Sequence, residues 1–314
     1  MLANRALLPD RRWHFQHGPI DLIIGADGDA TTLAAAHEAA WRRFETVLTE
    51  LVAELPALRM PVREANLSRG PNMLCDLNPS RVPNPLRGPI ARRMWQACWP
   101  HRAGFITPMA AVAGAVAQEL IGSYQREGIT RAWVNNGGDI ALHLAPGASV
   151  RVGLFADLAR LDDPLQIDLD GHFELRAEMP MRGIATSGWR GRSFSLGIAD
   201  SVTVLARHAA EADAAATLIA NAVDVIDPRI RRAPANTLKD ESDLGEILVT
   251  VDVPALEPTL IRAALQAGQN RAQALQRDGL IHAAILVCQG QHCRVDYAGC
   301  EDVFFQPELG SVFA

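Results

Sequence analysis

The feature that most restricts the fold of this chain is a glycine pair between two apolar runs, in the stretch VNNGGDIALHL from Val134 to Leu144. Glycine adopts positive φ without steric cost, so such a pair predicts a tight hairpin and antiparallel strands. The polar neighbours Asn135, Asn136 and Asp139 have two interpretations. They satisfy amides within the turn, or they bind something that the glycines allow to come close.

Helical and strand patterns are mixed along the rest of the chain. A strand in GPIDLIIGADGD is followed by a long helical period, and Thr107 and Pro108 are typical of a helix start before the small-residue run MAAVAGAVAQEL. Two meanders are predicted, one from RAWV to SVRVGLF and one through FELRAE, RGIATSG, SFSLGIAD and SVTVLA. The pattern predicts an α+β fold of two intertwined lobes, mostly antiparallel sheet with packed helices.

The organisation predicted from the sequence is one domain over residues 1–314. Residues 56–103 are rich in Pro, Arg and Asn, and compact domains seldom tolerate so long a loose stretch without a use for it, so we interpret it as a lid-like segment. Residues 245–300 repeat a strand, a helix and two strands, which predicts a C-terminal α/β subregion.

Composition excludes several classes of function. Lys and Arg total 30 against 36 for Asp and Glu, and this net charge of −6 argues against nucleic acid as a partner. Small molecules are the expected partners. Lys239 is the single lysine, which argues against Schiff-base chemistry and a phosphate-loop lysine.

The sequence also predicts a cytoplasmic location. No apolar run is long enough for a signal peptide or a membrane span. Five cysteines without a CxxC pair suit a reducing compartment.

The stretch EADAAATLIA places a carboxylate and a hydroxyl on one helix face. Asp213 and Thr217 are four residues apart with only alanine between them, so no large side chain obstructs either oxygen. Two hard oxygens on one face suit Mg²⁺. In the alternative interpretation, Asp213 complements the helix dipole and Thr217 bonds back to the preceding turn.

A third polar stretch, GIATSGWRGRSFSLG, places Thr186, Ser187 and Gly188 at the end of a predicted strand. Arg190 and Arg192 follow at once, and small donors with arginines suit a phosphate or another anion. Ordinary solvated loop arginines are the alternative.

The order of these stretches carries more information than any one of them. MAAVAGAVAQEL, VNNGGDIA, IATSG and ADAAATLI occur in the order of the ApbE superfamily motifs, and the chain resembles that superfamily. Within it, the stretches TPMAAVAGAVA, SFSLGIADSVTVLA, SDLGEILVTVDVP and GLIHAAILVCQG resemble the uncharacterised UPF branch over most of the chain.

This resemblance implies a flavin-related site. ApbE proteins take FAD, cleave its pyrophosphate with Mg²⁺ and transfer FMN to a threonine of a target protein, which makes a protein acceptor a possible partner here. By motif position, Asp213 and Thr217 resemble the metal ligands, and carbonyls around Ala111 to Gly114 lie near where the family supplies a backbone ligand. The residues that resemble the cofactor-contacting segments are Asn135, Asn136, Gly137, Gly138, Asp139, Thr186, Ser187 and Gly188.

One departure from the superfamily leaves two functions open. Transferases of the ApbE type have a long His-x-Ile-Asp-Pro-x-Thr-Gly loop after Ala-Thr-Ser-Gly, whereas no histidine occurs here between His172 and His208. The stretch GDATT faintly resembles a flavin acceptor, but a helix capped by Asp29 explains it better. The protein is therefore either a Mg-dependent enzyme acting on FAD or a related phosphorylated small molecule, FMN transfer included, or a flavin-binding or cofactor-handling protein without transferase activity. In both cases, we expect the motifs to converge on one cleft.

Overall fold

A computed structural model of the protein describes residues 2–63, 84–154, 171–240 and 242–297. The chain divides into two compact units, each built from two separate stretches of sequence. Unit 1 comprises Met1–His143 and His208–Ala214, and unit 2 comprises Leu144–Arg207 and Ala215–Ala314. Both units combine helices with antiparallel strands, so the predicted α+β class is confirmed.

Unit 1 is a sheet with helices packed on it. Its strands follow one another in sequence order, and they are β1 (Asn4–Leu7), β2 (Trp13–His17), β3 (Ile20–Gly28), β4 (Ile129–Asn136) and β5 (Asp139–Leu144). The pairs from β1 to β4 are antiparallel. The helices are α1 (Ala30–Ala53), α2 (Leu55–Leu58), α3 (Pro89–Cys98) and α4 (Val112–Ile121). Short 3₁₀ turns cover Trp99–His101, Pro108–Ala111 and Gly122–Tyr124.

Helix α1 buries one apolar face against the sheet. Ala36, Ala40, Phe44, Val47 and Leu51 recur every three or four residues and are buried. Phe15 of β2 packs on this face, with its ring centroid 5.4 Å from that of Phe44.

Ion pairs at the border of this apolar face join α1 to the other helices. Arg43 binds Glu50 at 2.7 Å and Glu119 of α4 at 2.8 Å, and Arg93 of α3 binds Glu119 at 2.7 Å. These side chains are partly shielded from water, so they hold the three helices together better than isolated surface pairs would.

The strands of unit 2 form three antiparallel groups. Strands β6 (Ser149–Leu154) and β7 (Gly171–Arg176) pair antiparallel, as do β10 (Arg231–Pro234) and β11 (Leu248–Asp252). The third group consists of four neighbouring strands in the order β8 (Gly183–Ser187), β9 (Ser201–Ala206), β12 (Ala283–Cys288) and β13 (Gln291–Val295). Helix α5 (Ala209–Ala222) begins in unit 1 and ends in unit 2, and α6 (Ala235–Leu238) and α7 (Pro258–Arg277) belong to unit 2.

Two details of the predicted elements are wrong. The helix expected from Pro108 starts as a 3₁₀ turn, and α4 begins only at Val112. The predicted strand SFSLGIAD is irregular, because the middle of its backbone bonds to the end of α5: the Ile198 N–H donates to the Val223 carbonyl at 2.8 Å. A Cβ at Gly197 would lie 2.1 Å from the Ala220 carbonyl oxygen, so only glycine permits this approach.

The predicted domain organisation stays a prediction. Within the lid-like segment 56–103, α3 buries Ile90, Met94, Trp95 and Cys98, and residues 64–83 lie outside the described residues. The subregion 245–300 shows the expected order of strand, helix and two strands through residue 297. Among the described residues, no helix has both the length and the apolar character needed to cross a membrane.

Candidate functional site

The glycine pair forms the whole turn of the β4–β5 hairpin. Strand β4 ends at Asn136 and β5 begins at Asp139, and Gly137 and Gly138 have φ of 66° and 107°. Positive φ at both central residues matches the tight turn that suits twisted strands. The Asn135 Oδ1 accepts a hydrogen bond from the Gly138 N–H at 2.8 Å. Asn135 therefore serves the turn itself, as in the local interpretation.

Asn136 makes a contact far from the turn. It is 7% exposed, and its Nδ2 donates to the carbonyl oxygen of Ala113, the second residue of α4, at 3.1 Å. Asp139, on the other side of the turn, is also buried at 8% exposure. Asn135 therefore completes the turn, whereas Asn136 and Asp139 are buried.

Asp213 binds the same peptide group from the opposite side. Its Oδ2 accepts from the Gly114 N–H at 2.9 Å, and Ala113 and Gly114 share one peptide bond. We call this the 113–114 peptide: Asn136 donates to its carbonyl oxygen, and Asp213 accepts from its N–H. Three stretches separated in sequence therefore meet at one backbone group, all within unit 1.

A glycine makes this meeting possible. A Cβ on Gly114 would lie 2.3 Å from the carbonyl oxygen of Ala209, closer than nonbonded atoms can approach. Ala209 is the first residue of α5, so the glycine lets the two helix starts touch. A second bond joins them, from the Ala210 N–H to the Gln118 Oε1 at 3.3 Å. The alanine and glycine residues thus bring Asp213 within reach of α4.

The carboxyl of Asp213 is strongly desolvated although part of the residue remains exposed. Burial raises its pKa to about 7, while hydrogen bonds from the Gly114 and Ala113 amides act in the opposite direction. Burial and the nearby Asp213 charge raise the pKa of the Cys98 thiol well above its usual range, and its Sγ donates to the Thr107 carbonyl at 3.3 Å. Cys98 is therefore an unreactive core thiol.

The remaining predicted site residues lie in unit 2. Thr186 and Ser187 end β8, and the Thr186 hydroxyl is 2.9 Å from that of Thr203 on β9. A Cβ on Gly188 would lie 2.3 Å from the Asp200 carbonyl oxygen, so this glycine permits close backbone packing. Thr217 lies four residues after Asp213 on α5, in the part that belongs to unit 2. Convergence of all these residues on one cleft stays a prediction.

Two buried polar contacts were not predicted from the sequence. The motif comparison grouped Asn135 and Asn136 together as cofactor-contacting residues and did not show that Asn136 makes the long-range bond. The signal was available, because Ala132, Val134 and Asn136 alternate on the buried face of β4, and a buried amide needs a partner. The second is Asp200, which is 8% exposed and accepts from the Trp189 Nε1 at 3.3 Å and from the Gln289 N–H. Nothing in the local sequence marks Asp200.

The chain belongs to the family described as AbpE bacteria, whose profile matches residues 5–294. The UPF0280 protein of Methanospirillum hungatei is 39% identical over 217 residues, covering 69% of this chain and 77% of that protein. The UPF0280 protein of Methanopyrus kandleri is 33% identical over 236 residues, covering 74% and 83%. The predicted membership of the ApbE-like superfamily and its UPF branch is confirmed.

Among solved structures, the crystal structure of the ApbE protein from Thermotoga maritima is similar to this chain with a TM-score of 0.42. The two share 11% sequence identity, and the match covers 93% of this chain and 96% of that one.

Proposed function

We propose that the protein binds a flavin nucleotide, FAD or a closely related phosphorylated molecule, together with Mg²⁺. The observation that carries the proposal is the 113–114 peptide, held by Asn136 and Asp213. The ApbE resemblance assigns the three stretches that meet there to the backbone metal ligand, the dinucleotide-contacting turn and the metal-binding helix. Their meeting at one backbone group supports a common ligand.

The chemistry of Asp213 fits a cation that arrives with its ligand. Among the described residues, no group of three or more His, Cys, Asp or Glu side chains is placed to hold a metal ion. Mg²⁺, however, is commonly held by one or two carboxylates, with water and substrate phosphates completing its coordination. A carboxylate has about four lone-pair directions, so amide bonds from the start of α4 leave room for a cation. Bound Mg²⁺ would neutralise charge on phosphate oxygens.

The proposal gives separate roles to Asp213 and Asn136. Asp213 would hold the cation, and Asn136 would fix the orientation of the 113–114 carbonyl. The roles that the resemblance gives to Thr186, Ser187, Gly188 and Thr217 stay predictions that single substitutions can test.

Binding is favoured over rapid FMN transfer. Transfer also needs a group that activates the acceptor threonine, and such acid–base assistance contributes about 10²–10⁴-fold in rate. The chain lacks the histidine-containing loop after Gly188, since no histidine lies between His172 and His208. We therefore expect covalent flavin labelling of an acceptor peptide to be slow or undetectable.

Calorimetry of FAD binding with and without Mg²⁺ tests the proposal. Asp213→Asn removes the charge but keeps an oxygen that can accept the α4 amides, so it separates metal binding from helix capping. We expect it to lower the Mg²⁺-dependent affinity by about 10- to 100-fold, with little loss of thermal stability. Asp29→Asn is the matched control, because Asp29 caps α1 in the same unit and has no predicted role in the site.

Two results would contradict the proposal in different ways. Unchanged FAD affinity and magnesium response in Asp213→Asn would remove Asp213 from the site. Absence of measurable affinity of the native protein for FAD, FMN or ADP with Mg²⁺ would remove the flavin assignment. Rapid labelling of an acceptor peptide by the native protein would show that another residue replaces the missing loop, and the protein would then be a transferase.

A further inference from the structure

Strand β1 is the least buried strand of unit 1. All residues of Asn4–Leu7 are exposed, and Leu7 is 59% exposed. Within the described part of the chain, β1 pairs with β2 alone, in the register from Asn4–Gln16 to Leu7–Trp13. The other edge of β1 is therefore open to solvent, and an open edge is a template for a further strand.

The register shows which backbone groups point out of this edge. The Leu8 N–H donates to the Arg12 carbonyl at 2.7 Å, and these two residues continue the register of β1 and β2. Along an antiparallel strand, residues that bond to a given neighbour alternate with residues that do not. Every second residue before Leu8 therefore bonds to β2, whereas the N–H and C=O of Arg5 and Leu7 point away from it.

The β2–β3 hairpin leads to the same assignment. A two-residue turn joins His17 to Ile20, and a turn of this length closes on a hydrogen-bonded pair. The odd-numbered residues of β2 therefore bond to β3, and the even-numbered ones bond to β1. Asn4 pairs with Gln16, so the even-numbered residues of β1 bond to β2 and the odd-numbered residues point outward.

The edge lacks the usual features that prevent strand pairing. Exposed edges are commonly blocked by proline, lysine or a β-bulge, whereas Asn4–Leu7 contains neither residue and pairs with β2 in continuous register. Its one charged side chain, Arg5, binds Glu38 at 2.9 Å and lies 5.0 Å from the ring centroid of Trp41. Trp41 also contacts Phe15 of β2, so the Arg5 guanidinium lies over the sheet and not beyond its edge.

The outward groups are arranged symmetrically about Arg5. The same alternation makes Ala3 the next outward residue, so Ala3 and Leu7 lie two residues on either side of Arg5. A second copy of β1, laid antiparallel with Arg5 opposite Arg5, brings Ala3 of each copy opposite Leu7 of the other. Each of these three facing pairs exchanges two hydrogen bonds, which gives about six across the interface.

This register also brings apolar side chains together. Leu7 of one copy faces Ala3 of the other, and Leu2, which is 86% exposed, faces the half-buried Leu8. A shift of two residues toward the C-terminus places Pro9, which has no N–H, opposite Ala3. A shift in the other direction separates Leu2 from Leu8. The symmetric register is therefore the most favourable one.

We propose that β1 is an interface for a second copy of this chain, in an antiparallel strand pair centred on Arg5. The symmetry of the outward groups and the match of apolar side chains favour a second copy over an unrelated extended peptide. Each Arg5 brings its own Glu38, so the pairing introduces no uncompensated positive charge. A single-strand interface is small, and we expect a weak, concentration-dependent dimer. The proposal does not depend on flavin binding.

Sedimentation velocity of the full chain, from micromolar to millimolar concentration, tests the pairing with Arg5→Pro and Arg5→Gln. Both variants remove the guanidinium, but only proline removes the outward N–H. Edge strands tolerate proline where the N–H faces solvent, so thermal unfolding should show both variants folded. Arg5→Pro should raise the dissociation constant of the dimer about tenfold or more, because two bonds across the interface are lost. Arg5→Gln should stay close to the native value.

Cross-linking tests the register and requires no proline. In the symmetric register, Asn4 of one copy faces Ala6 of the other as a pair without hydrogen bonds, whose Cα atoms are about 4.5 Å apart. This distance suits a disulfide. A mixture of Asn4→Cys and Ala6→Cys proteins, oxidised with glutathione disulfide, should therefore form a disulfide between positions 4 and 6. Identical positions lie diagonally, about 7–8 Å apart, so either variant alone should cross-link much less. Peptide mass spectrometry distinguishes these products from disulfides of the native cysteines.

Several outcomes would overturn the inference. A native protein that stays monomeric up to millimolar concentration would do so, as would a dimer unaffected by a folded Arg5→Pro variant. Equal weakening by Arg5→Gln would show that the side chain, and not the strand edge, holds the copies together. Cross-linking of Asn4→Cys with itself as readily as with Ala6→Cys would exclude the register. Weakening by Arg5→Pro alone, with cross-linking confined to the mixture, would support the strand pair.

Discussion

Helices α1 and α4 of unit 1 begin in two different ways. Asp29 caps α1 from the preceding residue: its Oδ2 accepts from the Thr32 N–H at 2.8 Å and from the Thr32 hydroxyl at 2.9 Å. Helix α4 has Ala111 at the capping position, without a side-chain bond, and the Gly114 amide is bound by Asp213, 99 residues later. One cap is local and the other joins distant parts of the sequence.

The two carboxyls also differ in their electrostatics. Hydrogen bonds from Thr32 lower the pKa of the exposed Asp29. Desolvation raises the pKa of Asp213 to about 7. A serine at position 111 would cap α4 with a hydroxyl, without burying a carboxyl. Helix capping alone therefore does not account for Asp213, and this contrast favours a ligand.

The largest expected effect comes from breaking the contact that brings Asp213 to α4. Gly114→Ala would place a Cβ 2.3 Å from the Ala209 carbonyl oxygen, and backbone atoms on both helix starts must then move apart. We expect a loss of about 3 kcal/mol in the free energy of unfolding, measured by urea denaturation. Gly122→Ala is the control, since a Cβ there meets nothing within 4 Å. Equal stability of the two variants would contradict the close approach.

An intermediate effect is expected at the hairpin. Asn136→Ala removes the buried amide that donates to the Ala113 carbonyl and should lower the free energy of unfolding by about 1–3 kcal/mol. Asn135→Ala removes only a bond within the turn and should lose about 1 kcal/mol or less. Denaturant midpoints of the two variants measure the difference. A larger loss in Asn135→Ala than in Asn136→Ala would show that the turn bond stabilises the protein more than the bond to the 113–114 peptide does.

The smallest effect is expected at the local cap. Asp29→Ala should reduce stability at pH 7 by less than Asn136→Ala does, because Asp29 is exposed. Its pKa is lowered in the folded state, so its contribution is present above the ordinary aspartate range and is lost as the pH falls through the folded pKa. Thermal unfolding from pH 7 to pH 2.5 should show that the difference in stability between the native protein and Asp29→Ala begins to shrink below about pH 4 and continues to shrink toward pH 2.5. A difference that stays undiminished at pH 2.5 would count against the carboxylate as the cap.

Local chemistry made much of unit 1 predictable. Positive φ at Gly137 and Gly138 and the capping oxygen of Asp29 depend on neighbouring residues, so the sequence shows them directly. The strand expected in SFSLGIAD was wrong, because Gly197 and Ile198 pack on the end of α5, a partner that the local pattern does not reveal.

The sequence predicted which residues belong to the candidate site but not which contacts they make. The sequence singled out Asp213 and the NNGGD stretch, but it did not reveal that both reach the 113–114 peptide. A hydrogen bond between residues 99 positions apart leaves no local trace in either stretch. The alternation along β4 was the one available signal for Asn136.

The remote cap of α4 also has a consequence for the order of folding. The cap of α1 is complete once Thr32 has left the ribosome, because both partners lie within four residues. The hydrogen bond from the Gly114 amide at the first turn of α4 must wait until Asp213 has been synthesised and α5 has docked. Closing so long a loop costs conformational entropy before the bond can form. The 113–114 peptide is therefore a late-forming part of the fold, completed only after both helices are in place.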